Sequence, residues 1–81
     1  MITGAQIRAA KALLDWSGSN LAEEAGVAIS TIRRLEACDG LLETASVKVL
    51  QAIRGAFERS GIEFIGTPED RPGVRLSLPK K

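Results

Sequence analysis

Histidine and tyrosine are absent from this 81-residue chain, and cysteine occurs once, at Cys38. The missing histidine removes the commonest general base, the usual catalytic triads and most zinc sites. A single cysteine cannot close a disulfide within the chain. The expectation is therefore a protein that is not an enzyme and that holds no metal or other cofactor. Aromatic residues make up only 4% of the chain. No apolar run approaches the ~18–20 residues of a membrane span. The opening Met1-Ile2-Thr3-Gly4 has no basic stretch followed by an apolar one, so we expect a cytoplasmic protein with no membrane partner. An excess of one charge is lacking too: Lys plus Arg number 11 and Asp plus Glu 10, a formal net charge of +1. Bulk charge alone would not hold such a chain on nucleic acid, so any such binding depends on where the cations stand. The length falls short of the roughly 100–200 residues of a common domain and buries only about 60–65% of the unfolded surface.

What is present reads first as helices. Thr3-Gly4-Ala5-Gln6 fits a capping box, a hydroxyl for the first turn and a glutamine to reach back. Ile7, Ala10, Leu13 and Leu14 then recur at helical spacing, with Arg8, Lys11 and Asp15 on the other face, which predicts a helix from Gly4 to Leu14. Trp16 follows as a lid for the core. Ser17-Gly18-Ser19 is a break with two candidate caps, and Leu21-Ala22-Glu23-Glu24-Ala25 is a short second helix ended by Gly26. A third, from Ala28 to Ala37, sends Ile32 and Leu35 inward and Arg33, Arg34 and Glu36 outward, with Asp39-Gly40 as its stop. Two short helices about a glycine-containing turn have the outline of a helix-turn-helix. Leu41 to Ala45 is a linker whose two leucines pack back on the core. Ser46 caps a fourth helix with Val47, Leu50, Ile53, Ala56 and Phe57 as its apolar stripe, closed at Gly61.

Beyond Gly61 the period changes. Ile62 and Phe64 alternate about Glu63, with Ile65 ending the run, and Val74, Leu76 and Leu78 alternate with Arg75 and Ser77. Both segments read as strands with one apolar face. The polar stretch from Gly66 to Gly73 between them is longer than a two-residue hairpin turn. Glu63 and Arg75 are a candidate cross-strand pair. Such strands either form a hairpin laid on the fourth helix or pair with a second subunit. A lone two-stranded sheet is marginal in water and a small core gains from oligomerisation, so we favour a homodimer through Ile62, Phe64, Val74, Leu76 and Leu78. The expected fold class is mainly α, four helices followed by two short C-terminal β-strands. We expect residues 1–60 to form a helix-turn-helix unit and 61–81 a strand segment for dimerisation.

Leu13-Leu14-Asp15-Trp16-Ser17, Leu21-Ala22-Glu23-Glu24-Ala25-Gly26-Val27 and Ser30-Thr31-Ile32-Arg33-Arg34-Leu35-Glu36 together resemble the Cro/C1-type (XRE-like) helix-turn-helix regulators. The match spans about Ile2 to Phe57, and the strand-forming tail is similar to that of a compact bacterial subgroup. The resemblance implies a small bacterial or mobile-element transcriptional regulator, a repressor or autoregulator, that binds palindromic double-stranded DNA as a homodimer. Its third helix would lie in the major groove, whose ~12 Å width admits a helix. Carried onto this chain, the base-facing positions are Ala28, Ile29, Ser30, Arg33 and Arg34. Ser17 and the amides of Gly18 and Ser19 would hold a phosphate, and Thr31 would contact the backbone. Arg8 and Lys11 stand behind the reading helix, and their replacement should matter much less.

The chain departs from the family pattern at several of these positions. Gly18 stands where relatives often carry a glutamine that contacts phosphate, and Ala28 where a serine or threonine caps the third helix. The missing cap costs about 0.5–2 kcal/mol. Ile29 replaces a polar reader and suits only a thymine methyl. The segment from Cys38 to Ala45 has two acids, Asp39 and Glu43, and no Lys or Arg. Arg33 and Arg34 have a plainer reading as a solvated face paired with Glu36 or Glu24. Cys38 reads as a small packed hydrophobe rather than a redox sensor, and Glu23 with Glu24 as an outer helix face rather than a catalytic pair. Gly18, Ala28 and Ile29 support an alternative in which the same fold binds another regulatory protein, as an antiactivator or antitoxin-like partner, with Ile29 central to that surface.

Overall fold

A computed structural model describes residues 2–37 and 46–77. Among the described residues it is mainly α, with four helices and one antiparallel strand pair. Helix α1 spans Gly4–Leu14. The capping box forms as the sequence predicts: the Gln6 amide donates to Thr3 Oγ1 at 3.1 Å and the Thr3 amide to Gln6 Oε1 at 2.8 Å. The helix ends at Asp15 in the left-handed region (φ 56°), which aspartate tolerates better than most residues.

Helix α2 covers Gly18–Ala25 and begins three residues earlier than its apolar pattern suggests. The reason is a second capping box. Asn20 donates its amide to Ser17 Oγ at 3.1 Å and accepts the Ser17 amide at 2.9 Å, so asparagine serves where glutamate or glutamine is usual. Gly26 ends α2 at φ 71°, and a methyl there would meet nothing within 4 Å. Glycine is needed for the backbone conformation, not for room. Helix α3 follows as Ile29–Glu36 and α4 as Val47–Arg59, the latter capped by Ser46 Oγ on the Val49 amide at 3.1 Å.

Strands β1 (Ile62–Thr67) and β2 (Asp70–Leu76) pair with each other within the chain, Glu63 opposite Arg75 and Phe64 opposite Val74. The connection is tighter than the sequence suggests. Thr67 pairs with Asp70, leaving only Pro68 and Glu69 at the turn, and the register slips between Ile65 and Thr67. Gly66 lets this happen: it sits at φ 74°, where a β-carbon would lie 2.1 Å from the Arg71 carbonyl oxygen.

The core gathers Ile2, Ile7, Ala10, Leu21, Ile32, Leu35, Leu50, Ile53, Ala56, Phe57 and Ile62. Phe57 is its aromatic centre. Trp16 stacks on it (centroids 5.6 Å apart, 21° between planes) and Phe64 meets it edge-on at 5.9 Å, so all three aromatic residues join α1's exit, α4 and β1. Two expected core residues are outside it. Leu13 is 44% exposed, because the buried seam of α1 runs through Ile7, Ala10 and Leu14. Val47 is 67% exposed, at the first position of α4 on the rim of a shallow apolar groove with Ile2, Leu50, Gln51 and Arg54. The expectations for Cys38, the Asp39-Gly40 stop, the Leu41–Ala45 linker and Leu78 fall outside the described residues.

Candidate nucleic-acid interface

Three residues, Gly26 to Ala28, turn α2 into α3. Ile32 and Leu35 pin α3 to the core at 0% and 2% exposure. At about 100° per residue, the side of α3 opposite them carries Ser30, Arg33 and Arg34, all exposed. Arg33 makes no side-chain hydrogen bond or ion pair among the described residues. Thr31 stands half-buried on the flank of the same helix, and Ala28 is its exposed, extended N-cap with no side-chain bond.

At the start of α2, Ser17 and Ser19 are exposed and Gly18 is half-buried. The Ser17 hydroxyl and amide are both spent on Asn20. The Gly18 and Ser19 amides, by contrast, have no acceptor among the described residues and lie at the electropositive end of the helix. The structure thus brings Gly18, Ser19, Ser30, Arg33 and Arg34 to the α2–turn–α3 unit while diverting Ser17 to capping.

Ile29 is the main correction at this surface. Its side chain is half-buried and turns back on α2, with Cδ1 3.3 Å from where a β-carbon of Gly18 would stand. Gly18 and Ile29 are therefore complementary: the small residue makes room for the large one, and the isoleucine packs on the core. It is not the exposed aliphatic that its neighbours in sequence suggest.

A second correction concerns charge. Lys11 does not lie on a solvated face. Its ammonium is ion-paired with Glu36, the last residue of α3, and both side chains are largely covered, at 18% and 17% exposure. Arg8 Nη1 donates to the Glu36 backbone carbonyl. Glu36 is thereby committed to α1. Glu24 lends its carbonyl to Arg59 Nη2 at 3.1 Å, tying α2 to the end of α4. No local sequence signal reveals the Lys11–Glu36 pair, since its members are in different helices.

The strand residues expected at a dimer contact are placed inside the chain's own packing. Ile62 is 2% exposed, and Phe64, Val74 and Leu76 are partly buried against the same core. On the outer face Arg75 Nε donates to Glu63 Oε1 at 2.9 Å, and this carboxylate raises the Arg75 pKa above its ordinary value. Ile65, 42% exposed, lies over Gly73 on the same face. Gln6 was missed by sequence reasoning beyond its capping role: its Nε2 donates to the Gly73 carbonyl at 2.9 Å and lies 3.4 Å from that of Ile65, fastening the hairpin to α1.

Among the described residues, no group of three or more His, Cys, Asp or Glu side chains could hold a metal ion, and no helix is long and apolar enough to cross a membrane. No protein-family model matches the chain, and no curated protein matches it.

Proposed function

We propose that this protein is a sequence-specific DNA-binding regulator of the Cro/C1 helix-turn-helix type that acts as a homodimer on a palindromic operator. The observation that carries the reading is the outward face of α3, where Ser30, Arg33 and Arg34 are exposed opposite the buried Ile32 and Leu35. A helix presented this way suits the major groove, where arginine bonds bidentately to guanine and a serine hydroxyl can donate to or accept from a base edge. The bare amides of Gly18 and Ser19 at the start of α2 suit a phosphate oxygen. The dimer uses the edge and outer face of the hairpin, around Ile65, because the inner face is already spent on the core.

The test is fluorescence anisotropy on the DNA upstream of the protein's own gene, with scrambled DNA of equal length beside it, at ~50 and ~200 mM salt. The native fragment should bind selectively with a shallow salt slope. In Arg33→Ala that preference should shrink by about 1–3 kcal/mol at one base pair of each half-site. A folded protein that binds neither DNA contradicts the reading.

A further inference from the structure

Glycine inside a helix destabilises it relative to alanine, yet Gly55 stands in the interior of α4. Its neighbour one turn on gives the reason. A β-carbon on Gly55 would come within 3.3 Å of Arg59 Nη1, inside ordinary van der Waals contact. Side chains at i and i+4 share a helix face, so the bare backbone of Gly55 is the track along which the guanidinium passes. Beyond it, Arg59 Nη2 donates to the Glu24 carbonyl in α2 at 3.1 Å. Among the described residues Arg59 makes no ion pair that would draw its charge elsewhere. The carbonyl it meets needs a donor. At the C-terminus of α2 the amides of Gly26 and Val27 serve the Ala22 and Glu23 carbonyls, and no backbone amide among the described residues reaches that of Glu24. The last turn of α2 carries Glu23 and Glu24 and no basic residue, so its own side chains oppose the negative end of the helix dipole. At eight residues α2 is also too short to be stable alone, and its ends are fixed by what surrounds them.

We propose that Arg59 is a positioning residue that caps α2 from α4, with Gly55 as its clearance, and that this cap fixes how α2 presents its first amides. The functional consequence rests on the DNA-binding reading above, in which the Gly18 and Ser19 amides hold a phosphate. The Ser17–Asn20 box holds the start of α2 and the Arg59 guanidinium holds its end. Without the second hold the helix opens from its last turn and its axis is no longer fixed. A phosphate contact carries no base identity, so the loss falls on affinity for native and scrambled DNA alike. Arg59 need not touch DNA for this, since it meets α2 at the end away from those amides.

The experiment compares the full chain with Arg59→Met, Arg59→Lys and Gly55→Ala. Amide hydrogen exchange is read without DNA, and affinity for native and scrambled DNA is read against salt. In Arg59→Met and Gly55→Ala, exchange at Gly26 and Val27 should quicken about fivefold, the net worth of one hydrogen bond. Affinity for both DNAs should fall by a similar factor. Arg59→Lys keeps a cation and a donor and should stay within about twofold of the parent. Gly55→Ala separates position from stability: alanine favours the helix, so the urea midpoint should not fall while binding does. A merely structural residue would move both the same way, and that result overturns the proposal. A salt slope lower by about one in Arg59→Met overturns it too, by making Arg59 a direct phosphate ligand. So does exchange that quickens at the end of α4 instead of α2, or a Gly55→Ala variant that exchanges and binds as the parent does. If the parent protein binds neither DNA, the DNA reading fails on its own. The cap is then decided by exchange at Gly26 and Val27: quickening in Arg59→Met and Gly55→Ala supports it, and parent-like rates refute it.

Discussion

Ala28 sits at the N-cap of α3 with the extended backbone a cap requires (φ −69°, ψ 143°) and no oxygen to offer the first turn. Ala28→Ser should therefore raise stability by about 0.5–2 kcal/mol, seen as a higher urea midpoint at an unchanged slope. A lower midpoint would show that the cap geometry is not as described. The caps Thr3 and Ser46 were legible in the sequence, and Ser17 was one of two candidates there with Ser19. Ile29 was not legible in the same way. Its contact is Gly18 in another helix, and only the packed α2–α3 corner shows that a missing side chain at one position accommodates a large one at the other. Lys11 and Glu36 share that limit: helical spacing put Lys11 on the polar face of α1, and the fold brought a counter-ion to it.

Among the elements, the helices were readable to within a few residues, since apolar spacing and caps are local signals. The hairpin connection was less so. Proline, glycine and charge between Gly66 and Gly73 resemble a long loop, yet Gly66 at positive φ allows the strands to run on to Thr67 and Asp70. The apolar face that holds the hairpin on the core was legible, but its tie to α1 was not. Gln6 is 4% exposed, completes the α1 capping box and donates to the Gly73 carbonyl. Gln6→Ala removes both, leaving a polar strand carbonyl without its donor. The expected loss is about 2 kcal/mol in urea unfolding, with the fastest new hydrogen exchange in β1 and β2. A loss confined to α1 would separate the hairpin from that side chain. The apolar stripe of α4 was right at Leu50, Ile53, Ala56 and Phe57, and wrong at Val47, which is exposed on the rim of the groove formed with Ile2, Leu50, Gln51 and Arg54.

At the scale of the whole molecule, one small core joins all four helices and the hairpin through Phe57, with Trp16 and Phe64 against it. A net charge of +1 leaves function to the placement of charge, and placement is uneven. Lys11, Arg54, Arg71 and Arg75 pair with acids, whereas Arg33 on α3 and Lys48 on α4 make no side-chain hydrogen bond or ion pair among the described residues. The most direct test of the central claim is selection of bound sites from a pool of randomised double-stranded DNA. Enrichment of an inverted repeat is expected, its half-sites ~34 Å apart, one turn of the duplex, as a two-fold dimer requires. A folded protein that enriches no sequence from the pool would contradict it.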